Sequence, residues 1–497
     1  YLSMRINSIF HIAVLIVYFF SMFYILLFSL LQLQLAILYI ISRKKRKINA
    51  APPEQPSDYP FVTIQLPVFN ELYVVERLLD NIARIDYPND KLEIQILDDS
   101  TDETSDVIKR KVIELANKKL DFSYIHRVDR AGFKAGALKE GLNSAKGELI
   151  AIFDADFLPH PDFLKKTVPY FSDNKIGAVQ TRWGYLNRNF SLLTRIQAFA
   201  IDAHFTIEQA GRNSKGYFIN FNGTAGIWRK AAILDAGNWE SDTLIEDLDL
   251  SYRAQVKGWK FKYLEDVETP GELPVTLSAI KVQQFRWMKG GTQNFVKNYK
   301  KVISSSFPVM TKVNGIFHML NSTVFIFSFL AAMLSYPFFI IQKAHPEYNV
   351  MYSLIWVFVL PTIILLLYYG IAFFTTNHSF KSILQFPIYF WFFLVITLGM
   401  SLHNLIGVIE AFLGKKSSFL RTPKFNILSK NDIWKQNKYL TGRINYISVL
   451  EGVIALFFLG CLVEAVYTKQ YVFIYFHAVL FMGFGINSFL SIIKIAL

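Results

Sequence analysis

Two kinds of hydrophobic pattern divide the chain. A continuous apolar run extends from about Ile9 to Ile41, and comparable runs return after Lys312, near residues 319–341, 352–375, 446–467 and 470–494. Each is long enough to cross a hydrocarbon layer about 30 Å thick. The first run is far longer than a signal-peptide core and predicts an uncleaved transmembrane helix. A further apolar stretch covers about 384–413. Its second half, Ser401–Leu413, carries His403, Asn404 and Glu410 and reads as an amphipathic interfacial helix. Between the two apolar regions, short apolar strands alternate with helical periodicity. Val62–Leu66, Ile94–Leu97, Phe122–His126 and Leu149–Phe153 read as strands. Leu72–Ile85, Asp106–Lys118 and Ala135–Asn143 read as helices. The alternation predicts a parallel, doubly wound α/β sheet, in which ligands bind beyond the carboxyl ends of the strands.

Charge adds orientation. Arg43-Lys44-Lys45-Arg46-Lys47 follows the first run directly, and a Pro-rich linker, Ala51–Pro60, follows that. The positive-inside rule places the cluster and the polar region in the cytosol. The expected organisation is a transmembrane helix over 1–42, a linker over 43–60, a cytosolic domain over 61–311, and membrane and interfacial helices over 312–497 with a basic loop at 415–438. With 52% hydrophobic residues and 46 Phe, the chain is too apolar for an ordinary soluble enzyme. A net charge of +13 suits anionic lipid or an anionic nucleotide, and no zinc pattern or basic repeat points to nucleic acid. Cys461 is the only cysteine and lies in an apolar run, so neither an intramolecular disulfide nor a cysteine-based zinc site is possible.

The candidate chemistry is acidic. Asp154-Ala155-Asp156 ends a strand, and alternation sends its two carboxylates the same way, a pattern suited to Mg or Mn shared with substrate phosphates. Asp98-Asp99 ends another strand, where carboxylates can accept from a base or ribose, although Ser100, Thr101 and Asp102 also suit a helix cap. Glu246-Asp247 precedes a helix and offers a general base, with Asp249 close by and not excluded. In Gln283-Gln284-Phe285-Arg286-Trp287, Arg286 suits a pyrophosphate and Trp287 a sugar ring. A membrane-surface anchor is the plainer reading of that segment. Lys134 opens a helix and suits a phosphate.

These segments, with Pro67-Val68-Phe69-Asn70-Glu71, Phe133-Lys134-Ala135-Gly136-Ala137-Leu138, Phe221-Asn222-Gly223-Thr224-Ala225-Gly226 and Ile245-Glu246-Asp247-Leu248-Asp249-Leu250, resemble the family-two membrane glycosyltransferases of GT-A fold. The resemblance is nearest to the cellulose-synthase-like branch that makes mannan and glucomannan. It implies an α/β GT-A (Rossmann-like) cytosolic domain with an α-helical transmembrane region, in a bacterial inner membrane or a Golgi or plasma membrane. It implies an inverting, metal-dependent transfer of glucose or mannose from a UDP- or GDP-hexose to a growing β-linked polysaccharide, exported through the chain's own helices. A non-processive enzyme acting on a lipid acceptor is the alternative. The resemblance assigns Glu71, Asp98, Asp99, Lys134, Asp154 and Arg286 to the nucleotide sugar, and Asp154 and Asp156 to the metal. Asp247 becomes the base, and Glu246, Gln283 and Trp287 the acceptor side. Phe419, Arg421, Thr422 and Lys424 correspond to a gating loop over the nucleotide, with Arg421 and Pro423 departing from the cellulose synthase pattern. A loop on the catalytic side requires an even number of crossings between 312 and 415, so 384–413 is expected not to be a single crossing.

Overall fold

The computed structural model describes residues 2–49, 53–116, 120–346, 352, 357, 359–417, 419–427, 432, 438–439 and 446–493, the side chains of 2–8 and 46–49 excepted. Asn117, Lys118, Lys119, Ser418 and most of 428–445 therefore lie outside the described residues.

A seven-stranded sheet organises the polar region, in the order β3-β2-β1-β4-β6-β5-β7. The strands are β1 (Val62–Val68), β2 (Leu92–Asp98), β3 (Asp121–His126), β4 (Leu149–Ile152), β5 (Ile176–Tyr185), β6 (Gly226–Arg229) and β7 (Lys260–Gly271). The first four are parallel, as the alternation predicts. The all-parallel reading does not extend further. β6 runs antiparallel to both β4 and β5. With only four residues it carries too little pattern to announce itself. The predicted helices form at Val75–Ile82, Thr104–Leu115 and Phe133–Ser144.

β1 is buried on both faces: Val62, Ile64 and Leu66 turn to one side, and Thr63 and Gln65 on the other are satisfied by Glu93 and Gln95. One face packs on Leu78, Leu79, Ile82 and Ile108, and the other side of the sheet carries Leu138, Ile152, Trp228 and Leu250. Because β2, β1 and β4 are parallel neighbours, Asp98-Asp99, Phe69–Glu71 and Asp154–Asp156 emerge along one edge. That juxtaposition carries the site.

Five helices among the described residues are long and apolar enough to cross a membrane: Ile9–Lys45, Asn321–Ala344, Phe380–Gly399, Tyr446–Tyr467 and Tyr471–Ile493. Leu360–Thr376 is shorter, most of residues 347–358 being outside the described set. Contacts along the first helix show how far apart the two ends of this region lie. Phe338 stacks on Tyr18 with ring centroids 4.5 Å apart, and Tyr352 packs edge-on against Phe338 at 5.5 Å. At the other end Arg43 donates to Thr375 Oγ1 at 3.1 Å. Tyr18 to Arg43 is about 25 residues of helix, roughly 37 Å. Tyr352 and Thr375 are thus separated by the depth of a bilayer core, measured along the first helix.

Phe380–Gly399 shares the catalytic-domain face used by Leu360–Thr376, whose Tyr369 and Phe373 also pack on Phe199. Phe386 and Phe393 both meet Phe199 of the helix Leu192–Ala203, at 6.0 and 5.9 Å. Its far end, Gly399, abuts Gly483 and Asn487. The next helix, Ser401–Phe412, was expected to turn its polar residues to water. Instead His403 and Asn404 are buried, and His403 Nε2 lies 2.9 Å from the Lys281 carbonyl of the long helix Leu277–Ser304. A helix packed on a protein surface and one packed on a lipid headgroup layer share one sequence pattern, so periodicity alone does not separate them.

A buried ion pair fastens this assembly. Lys281 Nζ and Glu451 Oε2 are 2.5 Å apart, with side chains 7% and 0% exposed. Glu451→Ala strands the ammonium, and the expected loss is about 3–5 kcal/mol. The double change Lys281→Met with Glu451→Leu should recover most of it. Thermal unfolding of the purified protein in detergent measures both.

Candidate active site

The carboxyl edge of the sheet opens into a cavity of about 200 Å³. Glu71, Asp99, Lys134, Asp154, Asp156, Glu246, Asp247, Gln283, Arg286 and Trp287 line it, together with Phe419, Arg421, Thr422 and Lys424. Segments spread over more than three hundred residues of sequence converge on this one space.

Asp98 does not join them. Its carboxylate is fully buried and accepts from the Ser100 backbone N–H (2.9 Å), Ser105 Oγ (2.6 Å) and Tyr124 OH (2.8 Å), with His126 Nδ1 at 3.3 Å. With its lone pairs taken by the turn after β2 and by β3, Asp98 is not among the residues that line the cavity, where the sequence reading placed it on the nucleotide. Asp99 lines the cavity, gripped by Arg127 in a bidentate pair at 2.7 and 2.6 Å.

At the end of β4 the two aspartates each meet a lysine. Lys134 Nζ is 2.5 Å from Asp154 Oδ1 and also donates to the Gly223 carbonyl at 2.9 Å. Lys424 Nζ lies 2.7 Å from Asp156 Oδ2. Glu71 pairs with Arg421 at 2.8 Å. Burial pushes the Glu71 carboxyl up to about 8, Arg421 opposing and Asp156 adding to the rise. Carboxylates this close and this dry need cations. The hard oxygen donors of Asp154 and Asp156 fit a divalent ion, and lysine ammoniums balance them here. A second acidic group, Glu240, Asp242 and Asp249, converges on Lys297 Nζ at 2.5, 2.6 and 3.0 Å. Lys297 and Arg253 offset most of its charge, and it lies outside the cavity.

The helix Glu246–Val256 presents Asp247 to the cavity from its first turn. The sequence left Asp249 open as a base, and the structure separates the two. Asp249 accepts from Arg253 Nε at 2.8 Å and Asn298 Nδ2 at 2.9 Å. Burial alone would raise its carboxyl, but Arg253, Asn298 and Lys297 hold it below the ordinary range. Asp247 has no such partners. Burial pushes it up to about 8, Glu246 adds to the rise, and Lys134 opposes it. Gly223, at φ +75°, lets the backbone pass close by: a Cβ there would sit 3.2 Å from Asp247 Oδ2 and 3.4 Å from Lys134 Nζ.

Gln283, Arg286 and Trp287 occupy one face of Leu277–Ser304, at i, i+3 and i+4. Burial lowers the Arg286 guanidinium, while Glu246, Asp154, Asp247 and Asp156 oppose the effect. None of these carboxylates forms an ion pair with it among the described residues. Arg286 packs instead over the Phe419 ring, 4.7 Å from its centroid. A half-buried guanidinium with no ion-pair partner among the described residues, beside carboxylates, is suited to a diphosphate. Trp287 lies in the cavity wall, which fits the sugar-stacking reading better than the anchor.

Three contributors had weak signals or none. Arg130 lies flat on Phe69, 3.3 Å from the ring centroid, and is an electropositive wall on the Asp99 side. Only its place in the Asp129-Arg130-Ala131-Gly132 turn hinted at a role. Arg127 holds Asp99. Glu272 accepts from the Phe425 backbone N–H at 2.7 Å and so moors the loop, with no motif to mark it.

A nucleotide-sugar site at the carboxyl edge of a mixed α/β sheet, set on apolar helices, defines a membrane-associated glycosyltransferase of GT-A fold. The chain belongs to the family-two glycosyltransferases, in their cellulose-synthase-like branch, and is a hexosyltransferase. The family described as "Glycosyltransferase like family 2" matches residues 60–290. Glucomannan 4-beta-mannosyltransferase 1 of Oryza sativa subsp. japonica is 34% identical over 458 residues, 87% of this chain and 84% of the relative. Glucomannan 4-beta-mannosyltransferase 9 of Arabidopsis thaliana is 33% identical, over 85% of this chain and 79% of the relative. Among solved structures, the mannosyltransferase PcManGT of Pyrobaculum calidifontis, in complex with GDP-Man and Mn2+, superposes with a TM-score of 0.53. It is 19% identical and covers 80% of this chain and 100% of that one, a likeness of fold.

The two aspartates after β2 should separate in experiment. Asp98→Asn should cost about 2–3 kcal/mol of stability through its charge-assisted hydrogen bonds. Nucleotide affinity of the folded fraction should stay within twofold of wild type. Calorimetric titration with GDP and UDP beside a thermal melt checks this.

Proposed function

We propose that this protein is an inverting, metal-dependent, processive polysaccharide synthase. It transfers mannose or glucose from a GDP- or UDP-linked donor to a β-linked chain and exports that chain through its own helices. The observation that carries the reading is the order of groups along the sheet edge: Asp99 after β2, Glu71 after β1, Asp154 and Asp156 after β4, and Gly223 with Asp247 before β6. Adjacent strands are about 4.8 Å apart, so the row is roughly 14 Å long. A nucleotide laid over β2 and β1 puts its diphosphate over β4 and its sugar beside Asp247. The relatives' names, glucomannan 4-beta-mannosyltransferases, support a mannosyl or glucosyl product.

The chemistry follows from that order. A divalent ion held by Asp154 and Asp156 would supply Lewis-acid neutralisation of the departing diphosphate. Lys134, Arg286 and the loop residues Arg421 and Lys424 add positive charge around the same group. Asp247 takes the proton of the acceptor hydroxyl as that oxygen attacks the anomeric carbon. The bond to the diphosphate breaks on the opposite face, so an α-linked donor yields a β-linked product. Phe419, packed against Phe133 at 5.7 Å, and Thr422, nearly fully buried, close the cavity to water. Gln283 and Trp287 stand where the acceptor chain leaves.

The topology that serves this reading has five crossings, with the catalytic domain and the 415–438 loop cytosolic. The loop contacts Glu71 and Asp156, so it lies on the catalytic side. Residues 319–341 and 352–375 cross and return. Phe380–Gly399, though apolar and long enough to span, is read as staying on that side because the loop that follows Ser401–Phe412 returns to Glu71 and Asp156. Exposed Lys416 tests this: a Lys416→Cys, Cys461→Ser protein in sealed, right-side-out vesicles should resist a membrane-impermeant thiol reagent. Labelling from outside would contradict both the topology and the loop assignment.

Chelation should abolish turnover, and added Mn or Mg should restore it. Asp247→Asn is nearly isosteric and should cost about a hundredfold to ten-thousandfold in kcat. A base must be ionised to act, and burial holds this carboxyl near 8 in the free enzyme. The wild-type kcat/KM should therefore rise with pH through a limb well above the ordinary carboxylate range, and the residual activity of Asp247→Asn should lack that limb. Asp249→Asn should lower stability while keeping the limb.

A further inference from the structure

Beside the cavity the helix Leu192–Ala203 does not stop but widens into a π-helical turn, His204–Gln209, before continuing as Ala210–Ser214. Such turns are rare and costly, and they concentrate at functional sites. Its effect here is geometric. In an α-helix, residues five apart point about 140° away from each other. The π turn, with its i to i+5 repeat, brings His204 and Gln209 onto one face. Both then reach the same side chain. Gln209 Nε2 donates to Asn222 Oδ1 at 2.6 Å, and Asn222 Nδ2 donates to His204 Nε2 at 3.1 Å.

The second ring nitrogen of His204 completes the arrangement. His204 Nδ1 lies 2.8 Å from the Glu208 carboxylate, whose side chain is 11% exposed. The Nδ1–H tautomer satisfies Glu208 and leaves Nε2 to accept. Gln209 Nε2 also donates to the Asn220 carbonyl at 2.8 Å, which turns its N–H side to Asn222 Oδ1 and so faces the Asn222 nitrogen toward His204. The Asn222 backbone N–H is held as well, by Gln180 Oε1 at 2.8 Å. Asn222 is thus pinned at three atoms, yet it remains half-buried and lines the cavity. Its Nδ2 carries a second hydrogen that no described protein group accepts.

The position of Asn222 decides what that hydrogen meets. It precedes Gly223, against whose Cα the Asp247 carboxylate rests, and it lies on the β6 side of β4, away from Asp99 and Arg130. We propose that Asn222 donates a hydrogen bond to a hydroxyl or ring oxygen of the acceptor sugar, and that His204 and Glu208 are positioning residues that hold it donor-outward. The proposal deepens the synthase reading and rests on it. The ligand class is a β-linked hexose oligosaccharide, and the residue would help set which acceptor end is extended.

The test uses the full chain in lipid nanodiscs, with mannotetraose and cellotetraose as acceptors and GDP-mannose and UDP-glucose as donors. Turnover and calorimetric binding of each are measured. Asn222→Ala should raise the KM and the Kd of the accepted tetrasaccharide about three- to tenfold, the worth of one hydrogen bond. Donor affinity should stay within twofold. His204→Phe should match it. His204→Gln, whose amide oxygen can stand near the Nε2 position, should restore acceptor affinity to within twofold of wild type. Unchanged acceptor affinity in Asn222→Ala overturns the proposal, as does a donor-side defect of the same size, or identical behaviour of His204→Phe and His204→Gln. A variant that melts ten degrees low with both affinities intact marks the network as structural and overturns it too. Wild-type protein that neither binds nor extends either tetrasaccharide, while still hydrolysing donor, overturns the acceptor assignment. Protein that binds no nucleotide sugar at all defeats the synthase reading itself.

Discussion

Everything near the cavity depends on balancing negative charge that has been taken out of water. Glu71, Asp99, Asp154, Asp156 and Asp247, with Glu246 and Glu272 beside them, face one space of about 200 Å³. Buried charge without a partner is expensive, and groups so placed either neutralise or recruit cations. Both outcomes are present. Asp99, Asp154 and Asp156 have Arg127, Lys134 and Lys424 at hydrogen-bonding distance. Glu71 has Arg421 and is still pushed up by burial, and Asp247, with Lys134 and Arg286 near it, is pushed up as well. Asp247 is thus the least compensated of these aspartates.

The cations come from different parts of the fold, which ties the site to the membrane region. Lys134 stands on a helix of the sheet domain, Arg286 on the long helix Leu277–Ser304, and Arg421 and Lys424 on the loop after Ser401–Phe412. That long helix is anchored twice. Lys281 pairs with Glu451 of an apolar helix, and Lys289, fully buried, pairs at 2.8 Å with Glu410 just before the loop. A shift of the apolar helices therefore moves both the Arg286–Trp287 face and the base of the loop. Placing the loop, the Gln283–Trp287 helix and the last apolar helices is one mechanical problem.

Much of this was legible in the sequence, for an identifiable reason. Strand ends, apolar runs and acidic pairs at fixed spacing are local patterns, and Asp99, Asp154, Asp156, Asp247, Gln283, Arg286 and Trp287 all line the cavity. What the sequence hid depends on where a side chain turns after a strand ends. Asp98 and Asp99 are chemically identical neighbours, yet one closes a turn while the other faces the cavity. Asp247 and Asp249 are two apart on a helix, and Arg253 at i+4, with the tertiary partners Asn298 and Lys297, distinguishes them. β6 is too short to show a period. Arg130 and Glu272 make contacts distant in sequence, which no spacing rule anticipates, and Asn222 meets His204 and Gln209 only because a π turn aligns them. Ser401–Phe412 was readable as amphipathic, but its polar face is met by protein.

The central claim is that this site builds a polymer from an activated hexose. The most direct measurement supplies the purified protein, in lipid and with a divalent ion, with radiolabelled GDP-mannose, UDP-glucose and UDP-N-acetylglucosamine separately, and sizes the product. The account predicts incorporation from a hexose donor into chains many residues long that a β-mannanase or β-glucanase degrades. A single labelled sugar on an extractable lipid, or incorporation from none of the three, would contradict it.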